Sequence, residues 1–446
     1  MKTYHILTVN PGSTSTKIGV FKNEECLFEI NVSHSPKQLE QYSDIWDQYT
    51  FRKEEIIKAL DKKEFQINKL DAVVGRGGLI KPIPSGTYYI DQKMIDDARI
   101  GYQGQHASNL GCVIAYSIGW EYSIPSFIVD PPAVDDLEPV ARISGHKDFE
   151  RSSLLHALNI FATARKHAET VKKKITQMNL IVAHMGGGIT VAALRYGKAV
   201  NVNHGLYEGP FSPERSGSLP IFKVLDRVES GENTVKELRK MIVGQGGLVS
   251  YFNTNDARDV EKFVLAGSEK YKLVYEAMAY QIAEEVGKRA TNLKGKIDGI
   301  IITGGLAYSS MLTGLIKERI EFLSEIYIYP GESELEALAQ GALRVLKGEE
   351  NAKQYTQSVQ KIGVVYWDNI EVYIKSINII EDKLKASGYI FRKEQNNNLQ
   401  INYVNCKKDE ESLMQAVQKF KSDKVDLIFS IGSPVSMRIG QYLKND

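Results

Sequence analysis

The sequence predicts an α/β protein: two related domains facing one cleft, followed by a partial doubly wound βαβαβ unit. Three observations predict it. An apolar run enters a hydroxyl-rich turn and leaves as a second apolar run at residues 6–21, and a similar pattern returns at residues 180–193. A third apolar strand, Gly299-Ile300-Ile301-Ile302, stops at Thr303-Gly304-Gly305. After residue 350 a fresh strand and helix pattern begins.

The first element is framed by Ile6-Leu7-Thr8-Val9 and Ile18-Gly19-Val20-Phe21, which read as two strands of a hairpin. Between them, residues Asn10 to Lys17 carry one amide, four hydroxyls, a glycine and a lysine. Small side chains let backbone N–H groups point at one anion, and Lys17 adds charge. Taken alone, this is equally an ordinary polar hairpin. Repetition favours phosphate: Ile181-Val182-Ala183 runs into His184-Met185-Gly186-Gly187-Gly188, and the third strand ends at Gly304-Gly305. Glycine weakens a hairpin unless a bend, bulge or close ligand requires it. Several such turns facing one cleft suggest a nucleotide phosphotransferase.

The remaining elements follow in order. Helical spacing is expected at residues 51–63, 92–100, 107–118 and 152–169, with strands at Val73-Val74 and Ser126-Phe127-Ile128-Val129. The second half has a hairpin from Leu180, a long helix at 270–293, strands before Thr303 and at 325–329, and a helix at 335–346. The polar, aperiodic stretch after Leu346 reads as a linker. Strands at 361–366, 399–404 and 425–431 then alternate with helices at 370–384 and 410–420. The expected division is 1–175, 176–350, a linker at 351–360, and 361–446. The tail is expected to be dispensable.

Composition bounds the partners. The 446 residues exceed one hydrophobic core, and 43% hydrophobic with 25% charged residues describes an ordinary soluble protein. Basic and acidic residues balance at 56 to 55, which leaves no field for nucleic acid or an anionic membrane. Cys26, Cys112 and Cys406 lack paired spacing, so neither zinc nor a disulfide framework is indicated. The chain opens directly into a strand, without a leader pattern, and no run is long enough to span a bilayer. A cytoplasmic protein is expected.

Charged groups in framed loops carry the chemistry. Arg76 ends a strand within Gly75-Arg76-Gly77-Gly78, and Arg215 lies in a loop stiffened by Pro210 and Pro213. A fixed guanidinium binds two phosphoryl oxygens at once, although either arginine alone is also a normal surface ion pair. His106 and His156 sit beside helical segments, and Asp130 follows a strand and precedes two prolines. A lone histidine is more often a satisfied core group, whereas Asp130 is placed as metal-linked carboxylates are. There is no Walker A, G-x-G-x-x-G or H-E-x-x-H pattern.

Taken together, Asn10 to Lys17, Gly75 to Gly78, His184 to Gly188, the turn at 213–217 and Thr303 to Gly305 resemble the butyrate kinases. These belong to the acetate kinase branch of the actin, hexokinase and Hsp70 fold. The resemblance covers about residues 1–350. It implies two actin/hexokinase-like (ribonuclease H-like) domains and reversible, ATP-dependent phosphorylation of butyrate or a related short or branched acid. Acetate or propionate phosphorylation is the alternative, as is a ligand-sensing regulator with a silent kinase core.

It also implies roles. Arg76 and Arg215 would hold the transferring phosphoryl group, His156 would steady it, and His106 would be a second site histidine. Asn10 and Asp130 would lie near the metal and acyl phosphate. Ser13, Ser15 and Lys17, with His184, Gly186, Gly187 and Gly188, would form the phosphate loops. Asp256, Arg258, Gly304 and Gly305 would flank adenosine. Magnesium would meet Asn10 and Glu334, or Glu332 in place of Glu334. ATP or ADP, Mg2+ and a small carboxylic acid are thus the implied ligands, and a dimer or higher homo-oligomer is expected. Such chemistry suits the residues, because an ionised carboxylate needs no strong base and the transition state needs fixed positive charge. Gly77 and Gly78 are expected to leave room for a four-carbon acid. Residues 361–446 resemble the start of an ABC-transporter substrate-binding lobe.

Overall fold

The computed structural model describes residues 2–355, 360–386, 399–423, 425 and 427–443. The chain forms two compact units, residues 1–355 and 356–446. In the first unit, strands β1 (His5–Pro11) to β6 form one sheet and β7 to β11 another. β2 is Ser15–Lys22, β3 Glu25–Ser33, β4 Ala72–Gly75, β5 Thr87–Tyr89 and β6 Ser126–Val129. Their order is β3-β2-β1-β4-β6-β5. β1 and β2 pair as the expected antiparallel hairpin, with Asn10 opposite Lys17, and β1, β4 and β6 run parallel.

The second sheet holds β7 (Asn179–Met185), β8 (Ile189–Arg195), β9 (Lys198–Val202), β10 (Gly299–Gly304) and β11 (Ile326–Pro330) in the order β11-β10-β7-β8-β9. β7 and β8 form the second hairpin, with His184 opposite Thr190, while β7, β10 and β11 run parallel. The parallel strands β1, β4, β6, β7 and β10 are buried almost throughout, as strands covered on both faces are.

Two helices cross the boundary expected at 175/176. Helix Ala157–Thr170 packs Ile160, Phe161 and Ala164 against Leu180, Val182 and Ile301 of the second sheet. Helix Glu334–Leu346 returns to the first sheet, where Leu335, Leu338 and Ala342 meet Ile6, Phe21, Val74 and Val129. The sheets follow the expected halves, but these apolar faces bury where the opposite sheet is open. The helix expected from residue 152 begins only at Ala157. The Leu155 amide is taken by Pro132 O at 3.3 Å, and Arg151 is tied to Glu208.

The linker expected at 351–360 also needs correction at its start. Lys353 pairs with β5, its amide donating to Thr87 O at 2.8 Å, and Tyr355 is buried with its hydroxyl donating to Asp97 at 2.9 Å. Residues 356–359 lie outside the described residues. In the second unit, β12 (Gln360–Tyr366), β13 (Leu399–Asn405) and β14 (Leu427–Ile431) form a parallel sheet ordered β13-β12-β14. Helices Glu371–Ala386 and Glu410–Ser422 alternate with them, giving the expected βαβαβ pattern, and helix Ser433–Leu443 extends it. Asp426, from the third expected strand, lies outside the described residues. No helix among the described residues is long and apolar enough to cross a membrane.

The Tyr355 anchor generates a prediction. In the full chain, Tyr355→Ala should lower the stability of the first unit by about 3 kcal/mol, through the lost aromatic packing. Urea unfolding measures it. An unchanged midpoint would return this segment to the role of linker.

Candidate active site

The parallel strand ends place the site. Arg76 directly follows β4, and its amide donates to Val9 O of β1 at 2.8 Å. Its guanidinium is paired with the Glu334 carboxylate and lies 3.4 Å from Asn10 Oδ1. Asn10 Nδ2 in turn donates to Glu334 Oε2 at 2.5 Å. The first residue of the returning helix therefore binds the ends of β1 and β4 together.

Arg215 approaches from the second sheet. Its guanidinium donates to Gly205 O and lies directly over Gly188, where a Cβ atom would come within 2.0 Å of Nη1. A side chain at this position would displace the Arg215 guanidinium from its place over the turn. Ser212 locks the loop, donating to Gly187 O at 2.6 Å and accepting from the Arg215 amide at 3.2 Å. The Gly186–Gly188 turn and the 213–217 loop are thus one structure.

Between the arginines, His156 and His184 stack with centroids 4.0 Å apart. His156 Nδ1 and Thr190 Oγ1 are 2.9 Å apart. Asn159 Nδ2 donates to His184 Nδ1 at 2.9 Å, which leaves the imidazole proton on Nε2, 3.4 Å from Glu332 Oε1. Burial, Arg76 and Arg215 hold His184 down to about 3. Burial, His184 and the same arginines push His156 well below its usual value. His106 is lowered by burial and both arginines. Its Nδ1 accepts from the Ser108 amide at 3.2 Å. All three imidazoles are neutral donors or acceptors beside two fixed cations.

Arg76, Arg215 and the three histidines line a cavity of about 160 Å³ together with Asp130 and a largely apolar set, Leu79, Pro132, Leu154, Leu155, Leu158 and Leu206. Gly77 and Gly78 do not line it. A Cβ on Gly77 would come within 2.4 Å of Pro131 and one on Gly78 within 2.5 Å of Asn109, so both permit close packing rather than leaving substrate space. The expectation built on them is corrected: Gly77 and Gly78 open no space in the cavity, and its apolar lining comes from the leucines and Pro132.

The structure brings Asn10, Arg76, His106, His156, His184, Arg215 and Glu334 to one place, with Glu332 beside them. Asp130 reaches the cavity wall, but its carboxylate accepts from the Gly86 amide at 2.7 Å and from Arg165 at 2.9 Å. It is fully buried and acts first as a tether. Asp256 caps helix Ala257–Leu265 and holds Arg258, away from the cavity lining. The Arg258 partner holds its carboxyl down to about 2. Gly304 ends β10 and exchanges hydrogen bonds with Gly331, and Gly305 opens the following turn. Ser13 and Lys17 are exposed on the first hairpin and Ser15 is half-buried. Asn159, which orients His184, carried no local sequence signal, whereas Thr303, whose Oγ1 accepts from Asn159 Nδ2 at 3.2 Å, stands in the Thr303-Gly304-Gly305 turn that the sequence marked.

Comparison with known proteins bears on the fold. Residues 155–334 match the sequence model of the Acetokinase family. The acetate kinase of Porphyromonas gingivalis is similar with a TM-score of 0.64 at 17% identity, over 77% of this chain and 100% of that one. The propionate kinase of Francisella tularensis subsp. tularensis SCHU S4 gives 0.60 at 17% identity, over 76% and 98%. The acetate kinase of Entamoeba histolytica gives 0.62 at 14% identity, over 77% and 99%. The fold of these kinases is therefore the fold of the 76–77% of this chain that they cover.

The buried imidazoles set a pH dependence. Below about pH 6.5 an unfolded histidine takes up a proton, whereas folded His184 resists until about pH 3. The unfolded state then binds more protons, so stability falls as pH falls through this window, by up to about 1.4 kcal/mol per unit for each such group. Urea unfolding at several pH values should show a shallower slope for His184→Asn. An identical slope would mean that His184 is charged in the fold.

Proposed function

We propose that this chain transfers the γ-phosphoryl group of ATP directly and reversibly to butyrate or a closely related short or branched-chain acid. One observation carries the reading: two guanidiniums and neutral imidazoles share one small cavity with leucine and proline side chains. A short-chain carboxylate matches both kinds of group, with its oxygens toward Arg76 and Arg215 and its alkyl chain against Leu79 and Leu206. The match of residues 155–334 to the Acetokinase family supports the reaction class.

The chemistry needs no covalent intermediate on the protein. An ionised carboxylate attacks in line, and positive charge is needed where the equatorial phosphoryl oxygens gain negative charge. Arg76 and Arg215 supply it from positions fixed by backbone hydrogen bonds, and neutral His156 and His184 add donors without a further desolvated charge. An arriving phosphoryl group competes with Glu334 for Arg76, which couples ligand entry to the contact between the returning helix and the first sheet.

Among the described residues no cluster of three or more His, Cys, Asp or Glu could hold a metal by itself. Magnesium commonly uses one or two carboxylates plus phosphate oxygens, so Glu332, Glu334 and Asn10 fit an ion brought by the nucleotide. Bound there, Mg2+ would neutralise charge on the transferring phosphate. Glu332 is raised by burial and by Glu334, as expected for two carboxylates awaiting a cation.

The test is ADP formation with acetate, propionate, butyrate and isobutyrate. Each added methylene contributes roughly 0.8 kcal/mol, so butyrate should exceed acetate about tenfold in kcat/KM. Leu206→Ala should shrink that ratio, and Arg76→Ala should lower kcat about a hundredfold or more with all acids. Equal use of acetate and butyrate would assign a smaller acid. No turnover of any acid would remove the carboxylate kinase reading.

A further inference from the structure

The side chain of Arg52, in helix Tyr49–Lys62, is completely buried and sits behind the first hairpin. Its fork gathers the turn's carbonyls: Nη1 donates to Gly12 O at 2.7 Å and Ser15 O at 3.1 Å, and Nη2 donates to Ser13 O at 2.9 Å. Nη1 also meets Thr16 Oγ1 at 3.2 Å, while Gln48 Oε1 receives Nε at 3.1 Å and Nη2 at 2.8 Å. Every one of these acceptors is neutral. Among the described residues no carboxylate pairs with Arg52, and burial lowers it to about 10.

A buried charge is normally paired, because the desolvation penalty is several kcal/mol. Here the compensation is unfinished: carbonyl dipoles satisfy the hydrogen bonds but leave a net positive charge. Turning three carbonyls inward also turns the peptide units over. The Ser13 and Thr14 amides donate to no acceptor among the described residues, and both residues are exposed on the outer side of the turn. Successive free amides in a tight turn form an anion-binding concavity.

We propose that Arg52 is the positioning residue of a polyphosphate site on the first hairpin, with the bound phosphate serving as its missing counterion across the turn. The inference rests on the kinase reading above, in which the first hairpin is a phosphate loop, and names the residue that orients that loop. The guanidinium never touches the ligand. It fixes the turn so that the Ser13 and Thr14 amides face outward, and its unpaired charge strengthens their attraction for an anion through a thin, poorly screened layer of protein. Lys17, exposed on the adjacent strand, would add charge from the solvent side.

Two variants test it. Gln48→Glu keeps both hydrogen bonds to Arg52 yet supplies the carboxylate that the buried guanidinium lacks. Tripolyphosphate binding by calorimetry, ATP KM in the butyrate assay, and urea unfolding are measured on the full chain. Gln48→Glu should unfold at equal or higher urea while tripolyphosphate affinity falls on the order of tenfold and ATP KM rises similarly. Arg52→Lys keeps charge but loses the fork, and should weaken tripolyphosphate binding together with stability. A purely structural Arg52 predicts that Gln48→Glu binds tripolyphosphate as the parent does, and that result would overturn the inference while leaving the kinase reading intact. Should Gln48→Glu fail to fold, added chloride distinguishes the cases in the parent: competition with tripolyphosphate supports an anion site, and no tripolyphosphate binding by an active parent overturns it. A parent that neither binds tripolyphosphate nor forms ADP overturns both readings.

Discussion

The parallel register of the two sheets is the constraint on which the cleft depends. Val9 pairs with Gly75 and Gly75 with Ile128, so Asn10, Arg76 and Asp130 emerge just past one sheet edge. Thr303 pairs with His184 and Gly304 with Pro330, which brings His184, Gly304 and Glu332 to the corresponding edge of the second sheet. A shift of one residue in either ladder would turn these side chains to the opposite face. The two exchanged helices then fix the edges against each other, Ala157–Thr170 carrying Asn159 to His184 and Glu334–Leu346 carrying its first residue to Arg76.

Electrostatics within the cleft follow from that placement. Two guanidiniums sit beside three imidazoles, and further positive charge there would be expensive in a partly apolar cavity. The histidines therefore give up protons below their usual range, His156 and His184 well below it, retaining hydrogen-bonding ability without charge. The surplus positive charge of Arg76 is held by Glu334, and the Arg215 guanidinium donates to the Gly205 carbonyl. Such an arrangement favours an incoming group that is more negative than the carboxylate it meets.

Much of this was legible because short-range chemistry dictated it. Strand Ser126–Val129 and helix Gln92–Ile100 fall where their patterns place them, and both glycine-ended hairpins form. Arg76 and Arg215 were marked by their glycine and proline frames. Contacts between distant segments were not legible. Arg52 reads as one basic residue on an ordinary helix, yet meets Gly12 and Ser13 some forty positions earlier. Tyr355 lies in a polar stretch and gains its role from Asp97. Gly77 and Gly78 suggested open space because the sequence does not show Pro131 or Asn109 pressed against them. Helices Ile221–Glu229 and Val235–Ile242 were not anticipated in the stretch between the Arg215 loop and the long helix.

The central claim is that one phosphoryl group moves directly between nucleotide and carboxylate, with arginines rather than a side-chain nucleophile answering the charge. The most direct measurement is the stereochemical course at phosphorus, using ATP made chiral at its γ-phosphate by isotopic labelling and analysing the butyryl phosphate formed. A single in-line transfer predicts inversion of configuration. Retention would require two successive displacements through a phosphorylated side chain, and would contradict the account.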